Sequence, residues 1–225
     1  MKSIAIFLFM LFSLSISAQE ITKDVGDFTE VKVFSGLHVM LQRSNTSQVV
    51  ISGIKAGDVN IKNVNGMLKL SFEFPEMFEP EDIHITVFYS NELETIDANE
   101  GSLIESKDTI DQENITLKTQ EGAQIEMDVK VNYLFIKAIT GGVVKTEGTS
   151  KNQDVEVNTG GIYEGYDLNS EMADVTASTG GSAEVTVTKY LNADVRFGGN
   201  IEYHGNPEKV TKNKVIGGSI KNKGI

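Results

Sequence analysis

The sequence predicts an all-β protein, a right-handed parallel β-helix with rungs of about 20 residues preceded by a β-rich N-terminal section. Three observations predict it. A glycine follows a strand-like segment seven times, at Gly101, Gly122, Gly141, Gly160, Gly180, Gly198 and Gly217, with spacings of 21, 19, 19, 20, 18 and 19 residues. Apolar side chains recur at fixed offsets from that glycine. Alternation of period two runs through the chain, and no window sustains a helical period.

The early strands come first in chain order. Val31-Lys32-Val33-Phe34, Leu37 to Leu41 and Ile83 to Val87 alternate apolar and polar residues between turn signals. Val59-Asn60-Ile61 and Leu68-Lys69-Leu70 flank Asn65-Gly66, a pair that tolerates the positive φ angles of a type I′ hairpin turn. Pro75 and Pro80 bracket an acidic loop that interrupts the strands before Ile83.

From residue 94 the repeat takes over. Five residues before the marker glycine stand Ile96, Leu117, Ile136, Val155, Val175 and Ala193. Three before it stand Ala98, Thr119, Ala138, Val157, Ala177 and Val195, so alternate residues of each strand face one side. Three after it come Ile104, Ile125, Val144, Tyr163, Ala183, Ile201 and Ile220, where the chain has turned onto another wall. A period of this length suits a coil of two or three short strands, each rung pairing only with its neighbours. The glycines are structural in this reading, and Gly-Gly in five rungs lets successive corners stack closely. In the last rung Lys212 and Lys214 take inward positions, as expected of a cap that shields the end of the stack.

Residues 1–18 read as an export signal, with Lys2, an apolar run from Ile4 to Leu14 and a small-residue exit at Ile16-Ser17-Ala18. Cleavage is expected before Gln19, leaving residues 19–225 as one domain: N-terminal strands and hairpin over 19–93, then rungs and cap over 94–225. No later stretch approaches the roughly 20 apolar residues of a membrane helix. The chain has no cysteine, which removes a lipidated cysteine, disulfides and thiolate metal sites. The formal charge of −12 argues against nucleic acid or an anionic membrane surface as partner, and is the ordinary outcome for an exported soluble protein. With Arg43 and Arg196 the only arginines, forked recognition of anionic polysaccharide is poorly supplied.

The recurring strand and small-Gly-Gly corner, the opening Phe28-Thr29-Glu30-Val31-Lys32-Val33-Phe34-Ser35-Gly36-Leu37 and the close Gly198-Gly199-Asn200-Ile201-Glu202-Tyr203-His204-Gly205-Asn206-Pro207 resemble the putative auto-transporter adhesin, head GIN domain family (DUF2807). The resemblance spans nearly all of the chain after residue 18. It implies a β-helix exported by Bacteroidetes-type bacteria, with no established activity, and its label points to adhesion. An auto-transporter needs a barrel of amphipathic strands after its passenger, and the chain reaches Ile225 just beyond the cap. The expected location is therefore the periplasm or the cell surface.

Catalytic, metal and cofactor sites are not expected. His38, His84 and His204 show no metal-ligand spacing, and the first two fall on the polar phase of strands. Asp97, Glu156 and Asp194 share one outward column four before the marker. They stand two or three rungs apart, about 10 and 14 Å at ~4.8 Å per rung, which does not suit the carboxylate pair of a retaining glycosidase. Glu73, Glu76, Glu79, Glu81 and Asp82 form a solvated loop that could gather oxygen ligands for calcium but lacks the glycine-punctuated calcium pattern. Thr140, Thr159 and Thr179 stack one place before successive markers and read as a hydrogen-bonded corner, because threonine suits exposed β positions. Asp108-Thr109-Ile110 resembles a bacterial O-glycosylation acceptor at Thr109. Tyr166, Phe197 and Tyr203 are the candidates for stacking on sugar rings. The expected function is an exported, non-enzymatic, adhesin-like module binding a glycan or another envelope component. The alternatives are a polysaccharide-active β-helix enzyme and a structural or stress-linked envelope module.

Overall fold

A computed structural model describes residues 20–72 and 83–224. The expected export signal over residues 1–18 and the expected acidic loop over 73–82 lie outside the described residues. The strands are β1 (Glu20–Asp24), β2 (Glu30–Val33), β3 (His38–Arg43), β4 (Gln48–Gly53), β5 (Val59–Val64), β6 (Met67–Phe72), β7 (Ile83–Tyr89), β8 (Thr95–Ala98), β9 (Leu103–Ser106) and β10 (Ile110–Thr119). Long strands that bend around the stack follow: β11 (Gln124–Ile139), β12 (Val143–Asn158), β13 (Ile162–Ser178) and β14 (Ser182–Arg196). β15 (Asn200–His204), β16 (Lys209–Val215) and β17 (Ser219–Asn222) complete it. The helical content among the described residues is a single 3-10 turn at Ala56–Asp58.

The three apolar columns of the sequence are the register of the solenoid. Ile96, Leu117, Ile136, Val155, Val175 and Ala193 are successive parallel partners from β8 to β14, and so are Ala98, Thr119, Ala138, Val157, Ala177 and Val195. Ile104, Ile125, Val144, Tyr163, Ala183, Ile201 and Ile220 form the third column on the opposite wall. All are buried until the last rung, where Lys212 and Lys214 continue the first two columns in exposed positions. Each wall is thus a parallel sheet whose inward face is the core.

The marker glycines sit at φ between +69° and +81°, and the residue before each is also in the left-handed region. Two positive φ angles in succession make a type I′-like corner, which only glycine adopts freely at its second place. Ser35-Gly36 is an earlier corner of the same kind. Thr140, Thr159 and Thr179 occupy the first place with φ of 51°, 50° and 48°, so the expectation that threonine suits this position as a β residue is corrected. A β-branched side chain is strained there. What holds the column is main chain, since Gly122, Gly141 and Gly160 donate N–H to the carbonyls of Thr140, Thr159 and Thr179 one rung on.

The N-terminal section contributes rungs rather than merely preceding them. β2 and β3 form a rung that pairs in parallel with β8 and β9 above it, and β6 and β7 pair in parallel beneath it. β4 joins β7 antiparallel, β1 joins β4 antiparallel, and β5 folds back on β6 across the Asn65-Gly66 turn, both of whose residues have positive φ. Antiparallel strands therefore close the N-terminal end.

One stretch of the core is polar. The Tyr163 hydroxyl lies 2.9 Å from that of Thr146 and donates to Gln153 Oε1 at 3.2 Å; Gln153 donates to Ser170 Oγ at 2.6 Å, and Ser170 donates to the Thr186 carbonyl at 2.8 Å. All four side chains are buried, and the chain of bonds meets the requirement that buried polar groups be paired. Burial pushes the Tyr163 hydroxyl well above its usual pKa.

Candidate functional site

The wall that precedes the corner carries a groove of about 350 Å³ built on β11 to β14. Its side chains follow from the register. Tyr133, Asn152, Met172 and Tyr190 are successive outward partners, and beside them run Phe135, Asp154, Asp174 and Asn192. Tyr133, Phe135 and Tyr190 are each 46% exposed and Met172 39%. Aromatic side chains therefore stand at the two ends, three rungs or about 14 Å apart, with amides and carboxylates between them. Asn192 donates to Asp174 Oδ2 at 3.0 Å, while Asp154 has no ion-pair partner among the described residues. Burial, then the charges of Asp174 and Glu156, raise the Asp154 carboxyl above the ordinary range. Such a surface offers ring faces to apolar C–H edges and acceptors to hydroxyls or amines.

These aromatics are not among those the sequence singles out. The signal for them is the repeat itself: with Ile136 and Ala138 fixed inward, Tyr133 and Phe135 must face out, where neighbouring rungs carry Asn114, Thr116, Asn152 and Asp154. The sequence candidates are scattered by comparison. Tyr203 lies five after its marker, in phase with the inward Ile201, and is 5% exposed. Phe197 is 60% exposed on a corner at φ +47°. Tyr166 is half-buried on the opposite wall, stacked on His204 with ring centroids 3.9 Å apart.

Tyr166 reaches that place through a bulge. The pairing of β13 with β14 slips between Gly165 and Asn169, so the chain bows out, and Tyr166 donates to Glu202 two rungs on at 3.3 Å. Glu164, Glu184 and Glu202 are stacked partners in this column. Lys223 pairs with Glu202 at 3.1 Å and lowers its carboxyl pKa, whereas burial and the two flanking glutamates raise that of Glu184. The folded protein thus holds the Glu184 proton at a higher pH than the unfolded chain does. Falling pH through the range just above the usual glutamate value stabilises the fold at this site, and ionisation at neutral pH opposes it. Glu202 has the opposite sign, its contribution being lost as pH falls through its depressed value. Glu184→Gln is expected to melt at the same or a higher temperature than wild type at pH 7, with the advantage gone near about pH 4. A lower melting temperature at neutral pH would contradict this balance.

Most of the other singled-out groups have structural partners. Asp97 pairs with Lys32 at 2.9 Å, Glu156 with Lys137 at 3.0 Å and Asp194 with Arg196 at 2.7 Å. His38 meets Glu105, and His84 is exposed. Thr109 is exposed just before β10 and donates to Asp128. No group of three or more potential metal ligands occurs among the described residues. None of their helices is long and apolar enough to cross a membrane.

The fold recurs in solved structures. A putative adhesin from Bacteroides fragilis superposes with a TM-score of 0.81 at 18% identity, covering 92% of this chain and 98% of that one. A putative adhesin from Parabacteroides distasonis gives 0.70 at 20% identity, covering 93% and 97%. A protein from the same species called a putative lipid binding protein gives 0.67 at 15%, covering 92% and 97%. No curated protein sequence matches the chain. Residues 27–207 match the putative auto-transporter adhesin, head GIN domain family, and the chain, whose corners and columns fill that span, belongs to it.

Proposed function

We propose that this is an exported, non-enzymatic binding module of the cell envelope or surface, and that the groove on β11 to β14 takes a glycan chain lying across the rungs. One observation carries the reading: exposed aromatics at both ends of the groove with amides and carboxylates at rung spacing between them. Sugar rings present apolar faces and outward hydroxyls, and this wall presents the complements of both. The carboxylates of Asp154 and Asp174, neither in an ion pair among the described residues, in a chain with two arginines, favour neutral or amine-bearing glycans over uronic or sulfated ones.

The test is a panel of neutral, amine-bearing and acidic oligosaccharides titrated calorimetrically against wild type and Phe135→Ser/Tyr190→Ser. Wild type is expected to bind members of the first two groups. The double variant is expected to lose about fivefold or more, since each stacking ring contributes about 0.5–1.5 kcal/mol. Equal affinity of both proteins, or preference for the acidic sugars, would sink the groove as the site. The enzyme alternative draws on the unlike carboxyls of Glu184 and Glu202 on adjacent rungs. New reducing ends or unsaturated products from the same panel would establish it instead.

A further inference from the structure

The charge of this protein is segregated. Between residues 208 and 224 stand Lys209, Lys212, Lys214, Lys221 and Lys223 against Glu208 alone, a net +4, which leaves −16 for the rest of the chain. All five lysines lie on β16 and β17 or directly after them, in the terminal rung. Apolar exposure changes at the same end. The first place of each corner is polar at Ser35, Glu100, Glu121, Thr140, Thr159 and Thr179, but is Phe197 and then Ile216 in the last two corners. Those corners are adjacent, since Phe197 and Gly198 donate N–H to the carbonyls of Val215 and Ile216 at 3.1 Å. Phe197 is 60%, Val215 43% and Ile216 71% exposed.

Lysines on a terminal rung discourage strand addition, and that alone would explain a basic cap. It does not explain Phe197, which belongs to the rung beneath the edge, nor a bulky pair at corner places where asparagine would fit φ of 47° and 55° with less strain. A second copy meeting the same end would bring +4 against +4, so the complement of this tip is anionic. We infer that the C-terminal tip of the solenoid, with Phe197, Val215 and Ile216 as an apolar wedge and the terminal lysines around it, docks end-on to an anionic lipid bilayer. Lys209, Lys214 and Lys221 meet headgroup phosphates while the wedge enters the interface, Lys223 being paired with Glu202 and Lys212 lying over the Tyr203 ring. The overall charge of −12 hides this because the −16 of the remaining chain outweighs the +4 between residues 208 and 224.

The purified protein is tested by co-sedimentation with phosphatidylcholine vesicles, with and without one third phosphatidylglycerol, at low and high salt. Binding is expected only with phosphatidylglycerol, weakening steeply with salt. Lys214→Gln/Lys221→Gln is expected to weaken it by about fivefold per lysine, the equivalent of ~1 kcal/mol each. Phe197→Asn/Ile216→Asn is expected to abolish it while melting no lower than wild type, because asparagine accepts the corner conformation. The inference falls if anionic vesicles do not bind the protein at low salt, or if the double asparagine variant binds as wild type does. It falls equally if sedimentation velocity shows a dimer that Ile216→Asn dissolves.

Discussion

Gly161→Ala is expected to destabilise the protein far more than Gly160→Ala, although the two glycines are neighbours in one corner. A Cβ on Gly161 would lie 2.0 Å from the Ala138 carbonyl oxygen and 2.4 Å from its carbon, both main-chain atoms of the rung beneath. Backbone held in a parallel ladder cannot step aside for one side chain, so the rungs must part. The expected cost is about 3 kcal/mol for alanine, the upper end of overpacking, and more than about 4 kcal/mol for valine. Gly160 has the opposite situation: φ of +72° but nothing within 4 Å of an added Cβ. Its alanine variant suffers only the left-handed backbone cost of about 1–2 kcal/mol. Chemical denaturation of the two variants decides the matter, and equal midpoints would mean that corner spacing is soft. Gly181 and Gly199 repeat the close approach, with 2.7 and 2.2 Å to the carbonyl oxygens of Val157 and Ala177.

Deleting residues 142–160 should leave a folded, shorter solenoid, whereas deleting ten residues from the same region should yield aggregate. The full-period deletion joins Gly141 to Gly161 and regenerates the Thr-Gly-Gly corner, with Ile136 and Ala138 before it and Tyr163 after it. The half-period deletion turns apolar residues outward on one wall. The polar stretch of the core adds a detail. In the shortened protein Tyr163 loses Thr146 and Gln153, and their places pass to Met127 and Leu134, their partners in β11. A buried hydroxyl without a partner costs about 1–3 kcal/mol. Adding Tyr163→Phe to the deletion should therefore recover much of the lost melting temperature, while in the full-length chain the same substitution should lower it. Failure of both deletions alike would show that rungs are not independent units.

Much of this architecture is legible in the sequence because parallel stacking repeats one local problem. The marker glycine, its two preceding inward residues and its one following inward residue recur with little drift, and every such column is a line of bonded partners. The distinct duties of Gly160 and Gly161 are not legible, since spacing records that glycine is needed but not whether a torsion or a neighbour demands it. The bulge at Gly165 is half visible: the 20-residue rung followed by one of 18 shows an extra residue but not its place. Tyr166 consequently lands beside Glu202 and His204 for reasons no periodicity contains. Tyr203 was decidable from parity with Ile201, and the groove aromatics from parity with Ile136. The net charge, being a sum, does not record that five lysines fall between residues 208 and 224.

The order of rungs at the N-terminal end has a consequence for assembly. Val31 waits for Ile96, 65 residues later, while Leu117 meets Ile136 after only 19. Closing the longer loop costs about 1 kcal/mol more conformational entropy, from three-halves RT times the logarithm of that ratio. The rung made first is also bonded from below by β6 and β7, which are synthesised after it. A chain delivered from its N-terminus cannot grow this stack upward from its first strand; β2 keeps both edges open until residues on either side of it in space, all later in sequence, have arrived.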